Sequence, residues 1–445
     1  MRASKHILTL GTAFVVVANA SHAKPYPPDI KLSNETTAMY RLSNDSEFAF
    51  ILNEYASLAN EGGAATGEVL RAAAEIEPGN FESWYHEFNF LANKIHAMAV
   101  KAEARNALVS AREAYFRSSS YYRGADFFLH GNISDPRIDI LWKNQLRDFN
   151  KAVALLHRPA KQIELQANGF KVPAYFYPAD PSLPRQKPAS GKRLPTVIVG
   201  TGYDGSQQAL YHSNCRGIVE RGWNCITYEG PGQPTVRRQQ NLGFIPEWWE
   251  VVTPVVDYLH TRDDVDVDRI ALIGLSFGGT LAPLVATHEH RLAAVLAVDG
   301  MLSIQAAFKK EFPTAMIELY TSGNETGFNG YVEAVLSMPD IPTNFRWVIE
   351  QGMYAWNTTN PYKWFDETGK FFLDAAKLAK IKCPVFVASG EDDHLTPGQP
   401  EEMARLLGDK ATYFLFKTDV GAGEHCALGA EQQLAMETGL VGRDI

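Results

Sequence analysis

From about residue 44 to residue 157, apolar residues recur at three- and four-residue spacing, and nothing alternates as a strand would. The segments "SEFAFILNEYASL", "NFESWYHEFNFLANKIHAMAVKAEARNALVSAREAYF" and "DPRIDILWKNQLRDFNKAVALL" each predict helix. In the last of them Ile138, Trp142, Phe149, Val153 and Leu156 fall on one stripe, and Asp135-Pro136 opens it as a helix start should. Six aromatic residues share this region: Tyr115, Phe116, Tyr121, Tyr122, Phe127 and Phe128. Most are expected in the core, with a substrate-lining role for a few left open.

Near residue 160 the pattern changes. "KQIELQANGFKVPAYFYPAD" predicts two strands joined at Asn168-Gly169, a strong hairpin signal. After the linker "PSLPRQKPASGKR", strands and helices alternate: "PTVIVG", a helix around 207–221, "NCITYE", "IPEWWEVVTPVVDYLHTR", "RIALIG", "FGGTLAPLVATHE" and "LAAVLAVDG". Residues 301–382 interrupt this rhythm with helical and irregular sequence. Alternation resumes with "CPVFVASG", a helix near 400–407, "ATYFLF", a loop containing "GAGEHC" and a final helix.

Such alternation needs crossovers, so the expected class is α/β, a mostly parallel sheet covered by helices on both faces. An N-terminal all-helical cap domain and a helical insertion are added to it. The expected divisions are a signal peptide at 1–23, a cap domain at 24–159 and a catalytic domain at 160–445, with 301–382 as a lid.

The chain's 445 residues and 21% charged fraction suit a folded globular protein with a large core. A net charge of −9 with no Lys/Arg-rich run excludes nucleic acid as a partner, since "VRRQQ" at 236–240 is too short to offset it. Arg2 and Lys5 precede the apolar "ILTLGTAFVVVANA", and "SHA" at 21–23 offers small residues for cleavage. These features predict entry into the secretory pathway or secretion, the alternative being a signal retained as an anchor. No later stretch is long and apolar enough to span a bilayer. Sequons at Asn34, Asn44, Asn132, Asn324 and Asn357 agree with secretory entry, and Cys215, Cys225, Cys383 and Cys426 permit disulfides without prescribing them. No His/Cys cluster has metal-site spacing, so neither metal nor cofactor is expected.

The chemistry concentrates at "IGLSFGG", residues 273–279. Ser276 sits between glycines where an apolar strand gives way to a helix, the setting of a nucleophile elbow. G-x-S-x-G alone arises by chance in roughly one chain in seven of this length, so its placement carries the weight. A serine hydroxyl needs a base near neutral pH. His425, in the glycine-containing loop after the last strand, is best placed. His288 and His290 lie at the far end of the helix that Ser276 begins, and His212 is a minor candidate. His86, His96, His130 and His157 are expected to be structural. Asp393 in "SGEDDHLTP" follows a strand where the Ser–Asp–His order requires the acid, with Asp392 as runner-up. The N–H groups of Phe277 and Tyr203 are the expected oxyanion donors. The Tyr203 phenol could equally be structural or substrate-facing.

At these residues the sequence resembles the α/β-hydrolase superfamily over about 160–445. The helical N-terminal region and "YEGPGQP" (Tyr228–Pro234) resemble the branch containing 2,6-dihydropseudooxynicotine hydrolase, FrsA-like esterases and fungal polyketide-pathway hydrolases. "FIPEWWEVVTPVVDYL" is most similar to the fusarin-pathway type, which is found with polyketide synthase–peptide synthetase hybrids. The resemblance implies a triad of Ser276, His425 and Asp393 beneath a helical cap. It also implies a small-molecule pathway intermediate cleaved at an ester, lactone, amide or ketone-adjacent C–C bond. Some relatives are thought to use an extra carboxylate near the scissile carbonyl. Asp299, at the end of "VLAVDG", is the accessory candidate, with a helix N-cap role equally open. Assembly into a homodimer stays open. Two other readings remain, a secreted peptidase or esterase of general catabolic role and a non-catalytic ligand-binding protein on the same scaffold.

Overall fold

The computed structural model describes residues 39–179 and 193–430. The signal segment, Asn34, most of the "PSLPRQKPASGKR" linker and the expected final helix lie outside these residues. The described chain begins with five helices, α1 (Ser46–Ser57), α2 (Thr66–Glu75), α3 (Phe81–Ala104), α4 (Leu108–Asp126) and α5 (Pro136–Ala154). Asp135 caps α5 by accepting from Arg137 N–H, and Ile138, Trp142, Phe149 and Val153 are buried along it as the spacing requires.

Eight strands follow: β1 (Lys161–Gln166), β2 (Lys171–Tyr177), β3 (Leu194–Gly200), β4 (Asn224–Tyr228), β5 (Val265–Leu275), β6 (Ala294–Val298), β7 (Val385–Gly390) and β8 (Ala411–Phe416). They form one sheet in the order β1-β2-β4-β3-β5-β6-β7-β8, in which β1, β2 and β4 pair antiparallel and the rest parallel. The β1–β2 hairpin turns at Asn168-Gly169, as its sequence predicts.

Between strands run α6 (Arg216–Glu220), α7 (Pro234–Gln240), α8 (Trp249–His260) and α9 (Gly278–Ala286). The helix expected around 207–221 runs over 209–220, with a wider π turn at Tyr211–Cys215 before α6. Just ahead of it, Gln207 N–H bonds to Glu229. Cys215 and Cys225 form a disulfide, and Cys383 and Cys426 are free thiols.

Between β6 and β7 lie α10 (Ile304–Glu311), α11 (Thr314–Thr321), α12 (Glu325–Leu336), α13 (Thr343–Ala355), α14 (Pro361–Thr368) and the short α15 (Ala375–Leu378). Helix α16 (Gln399–Leu407) joins β7 to β8. The central strands are apolar throughout because both faces are covered. Val197, Val199, Ala271 and Ile273 pack with the N-terminal helices, whereas Ile198, Ile270 and Leu272 pack with α8, α9 and the helices after β6. Among the described residues no helix is long and apolar enough to cross a membrane.

Candidate active site

Parallel strands present their carboxyl ends along one rim, and the chemistry-bearing residues gather there. β5 ends at Leu275, Ser276 takes φ +59°, and α9 begins two residues later. Left-handed backbone is costly for serine and holds its side chain out of the turn. The turn closes tightly: a Cβ on Gly274 would lie 2.0 Å from the Gly278 carbonyl oxygen. Only glycine fits there.

Ser276 Oγ lies 2.9 Å from His425 Nε2, and His425 Nδ1 lies 3.0 Å from Asp393 Oδ2. Three residues from separate parts of the chain thus form one hydrogen-bonded line. Asp393 is fixed by donors from its own turn, Leu395 N–H at 2.8 Å and Thr396 Oγ1 at 2.6 Å. Asp392 makes no such bond to the imidazole; its N–H donates to the Gly423 carbonyl instead.

Asp299 is also beside the base. Its Oδ2 lies 3.2 Å from His425 Nδ1 and accepts from Cys426 N–H at 2.7 Å. It does not line the substrate-sized cavity, so it stands behind the imidazole rather than beside a reacting carbonyl. Nor does it cap the next helix, because Ser303 does so for α10. Burial pushes the Asp299 carboxyl up to about 6, with Asp393 adding to the effect and His425 opposing it. Burial alone would lower the imidazole, but Asp299 and Asp393 outweigh it and hold His425 well above its ordinary value. Asp393 is also buried, yet the positive imidazole, its hydrogen bond and Thr396 keep it below the usual carboxylate range.

The loop after β3 comes against the elbow. A Cβ on Gly202 would lie 2.6 Å from Phe277 N, so only glycine lets this backbone approach the amide after the nucleophile. The segment "YEGPGQP" braces that loop. Gln233 Nε2 donates to the Thr201 and Gly202 carbonyls at 3.0 and 3.3 Å, and Glu229 accepts from Gln207 N–H and Thr235 N–H. In the sequence this motif is only a mark of resemblance; its physical work is to fix the backbone that carries Tyr203. The Tyr203 phenol is structural, donating to the Val348 carbonyl on α13 at 2.5 Å.

A cavity of about 520 Å³ opens above Ser276. Its walls come from α1, the loop after β3, the elbow, α10, α13 and the His394 and His425 loops. None of the six N-terminal aromatics left open as lining residues reaches it; they are core. Its rings are Phe50, Phe308, Phe312, Phe345 and Trp347 among others, residues that no local motif marks.

The other candidate histidines of the sequence do not line the cavity. His212 Nδ1 lies 2.9 Å from the Glu61 carbonyl, and burial pushes it down to about 4. His96 meets Asp148, His130 meets Gln351, and His288 stacks on Trp249. Among the described residues one group brings three metal-ligand atoms within 4.8 Å of one another, Asp299, His425 and Cys426. Both imidazole nitrogens there already have protein partners, and burial pushes the Cys426 thiol far up, so it offers no thiolate.

Residues 200–436 match the model of the alpha/beta hydrolase family. A hydrolase of a Fusarium species is 30% identical, the alignment covering 83% of this chain and 89% of that protein. The chain belongs to the alpha/beta hydrolase family. The 20-hydroxy-prefusarin hydrolase of Gibberella moniliformis is also 30% identical, covering 83% of this hydrolase and 89% of the relative. An alpha/beta hydrolase of Aspergillus fumigatus is 32% identical over 78% of this chain and 80% of its own. Among solved structures, a 2,6-dihydroxy-pseudo-oxynicotine hydrolase superposes with a TM-score of 0.65 at 20% identity, covering 86% of this chain and 93% of that one. That likeness speaks to the fold, including the helical N-terminal region.

Proposed function

We propose that the protein is a serine hydrolase acting through an acyl-enzyme on a polyketide-type intermediate of fungal secondary metabolism. The observation that carries the reading is the 2.9 Å contact of Ser276 Oγ with His425 Nε2 at the floor of a largely apolar cavity. The names of the fungal relatives, one of them a 20-hydroxy-prefusarin hydrolase, support the substrate class.

In this mechanism Ser276 Oγ attacks a carbonyl carbon while His425 takes its proton. The oxyanion rests on the N–H groups of Phe277 and Tyr203, while Asp393 and Asp299 stabilise the imidazolium. His425 then protonates the leaving oxygen, nitrogen or enolate carbon, and water releases the acyl group by the reverse steps. A C–C substrate must bring its own electron sink, because an unstabilised carbanion cannot depart. The helices α1–α5 and the segment 301–382 act as cap and lid over the cavity, excluding water and selecting bulky apolar substrates. A peptidase of the β-propeller kind is disfavoured by the helices α1–α5 that precede the sheet.

Secretory entry is part of the proposal. The described sequons Asn44, Asn132, Asn324 and Asn357 are all exposed, and a disulfide joins Cys215 to Cys225. Mass spectrometry of the protein recovered from its host tests this by the mature N-terminus and glycan mass. Hydrolysis of a p-nitrophenyl ester tests the chemistry. The wild-type chain is expected to turn it over and Ser276→Ala to lose at least about a thousandfold; undiminished turnover by the variant would overturn the assignment.

A further inference from the structure

One face of α1 forms a wall of the cavity: Glu47, Phe50, Ile51 and Glu54, at the spacing of a single helical stripe, all line it. Phe50 is the stripe's contact with the site, its ring centroid 6.4 Å from that of His425. A stripe turned inward is ordinarily apolar throughout. Here it carries an acid at each end, and Asp204, from the loop after β3, lines the same cavity.

Among the described residues no Lys, Arg or His forms an ion pair with the carboxylate of Glu47 or Asp204. Arg123, whose charge acts on Asp204, is held by Asp126 at 3.2 Å and by the Asp204 carbonyl, not its carboxylate, at 2.5 Å. Burial pushes the Glu47 carboxyl up to about 8, with Asp204, Asp45 and Glu54 adding to it. Burial also raises Asp204, against the opposing charges of Arg123 and His425. Two acids facing one enclosed, largely apolar space, neither of them in an ion pair, destabilise the empty protein. An N-terminal turn favours an acid through the helix dipole, but that preference is met as well on the solvent side of α1. It accounts for neither the inward direction nor Asp204.

We propose that Glu47 and Asp204 form a polar subsite that receives a hydrogen-bond-donating head group, hydroxyl or ammonium, of an otherwise apolar substrate. The inference rests on this cavity being the substrate site of the hydrolase. Above pH about 8, where Glu47 has lost its proton, the acids accept the donor hydrogens that apolar walls would leave unpaired and repel a carboxylate-ended competitor. Phe50, between the two acids of the stripe, sets the substrate's apolar body beside His425 and Ser276.

Calorimetric titration of the full chain at pH about 9, where the Glu47 carboxyl is ionised and octylamine is still an ammonium, with octylamine, octanol and octanoate tests this without reliance on turnover. The wild type is expected to bind octylammonium, or both octylammonium and octanol, at least about tenfold more tightly than octanoate. The first outcome marks a cationic head and the second a neutral donor. In the Glu47→Gln/Asp204→Asn double variant, the advantage should shrink to about threefold or less. The single Glu47→Gln change should fall between. These substitutions remove buried charge, so the fold is expected to tolerate them. Equal binding of octanoate by the wild type, or an advantage unmoved in the variants, would overturn the subsite. Failure of the serine mechanism would read differently, as an unreactive Ser276 with the head-group preference intact.

Discussion

Asp299 Oδ2 lies 3.2 Å from His425 Nδ1, the same nitrogen that Asp393 approaches to 3.0 Å. Two buried carboxylates therefore share one imidazole, and their joint field holds it protonated to unusually high pH. A base must be neutral to accept the serine proton, so kcat/KM is expected to rise with pH through that elevated value. Asp299→Asn removes one of the two charges and lowers the imidazole's affinity for its proton. The acid limb of the kcat/KM profile should move to lower pH. A limb that stays in place would mean that Asp299 does not govern the base.

The two acids should differ in weight. Asp393 is anchored by Leu395 N–H and Thr396 Oγ1 within hydrogen-bond distance, so it orients the ring as well as charging it. Asp393→Asn is expected to lower kcat by about a thousandfold or more, and Asp299→Asn by about tenfold at the pH optimum. Steady-state kinetics on one ester substrate compares them, and equal losses would make the acids interchangeable.

Much of this site is legible in the sequence. Gly274, Ser276 and Gly278 announce a strand-to-helix turn because only glycines fit so tight a crossing, and apolar strands fix the chain order in which Asp393 and His425 must follow. Asp299 was visible as a strand-end residue, but its partner was not, since the contact joins it to a loop well over a hundred residues later. The cavity wall was harder still. Glu47, Phe50 and Glu54 do lie on one stripe of α1, yet helical spacing says which residues share a face and not what that face meets. The aromatic run at 115–128 reads mainly as core in the sequence, and it is core. Its density signals burial, and burial there serves the packing of α3, α4 and α5.

The brace from "YEGPGQP" yields another expectation. Gln233 Nε2 bonds two successive carbonyls of the loop that carries Tyr203. Gln233→Ala leaves those carbonyls unpaired and loosens the proposed oxyanion donors. It should reduce kcat by about ten- to a hundredfold with a smaller change in KM, and cost about 1–3 kcal/mol of stability. A change confined to KM would place the motif's role in binding.

Glu47 couples stability to pH. Its carboxyl titrates near 8 when folded against 4.5 as the ordinary value. Between those values the folded chain holds a proton that the unfolded chain has lost, so stability falls as pH rises from about 4.5 to 8. Glu47→Gln removes that dependence. At pH about 9 the variant should exceed the wild type by roughly 1–3 kcal/mol, discounting for water in the cavity, and near pH 4 the two should converge. Urea unfolding at both pH values checks it, and a constant difference would contradict it.

The central claim is that Ser276 is a nucleophile made reactive by His425. Fluorophosphonate labelling followed by peptide mass mapping tests it most directly. Covalent mass is predicted on the peptide containing Ser276 in the wild type, with none on Ser276→Ala and labelling slowed by at least about a hundredfold in His425→Ala. Labelling on another residue, or at an undiminished rate without the imidazole, would contradict the account.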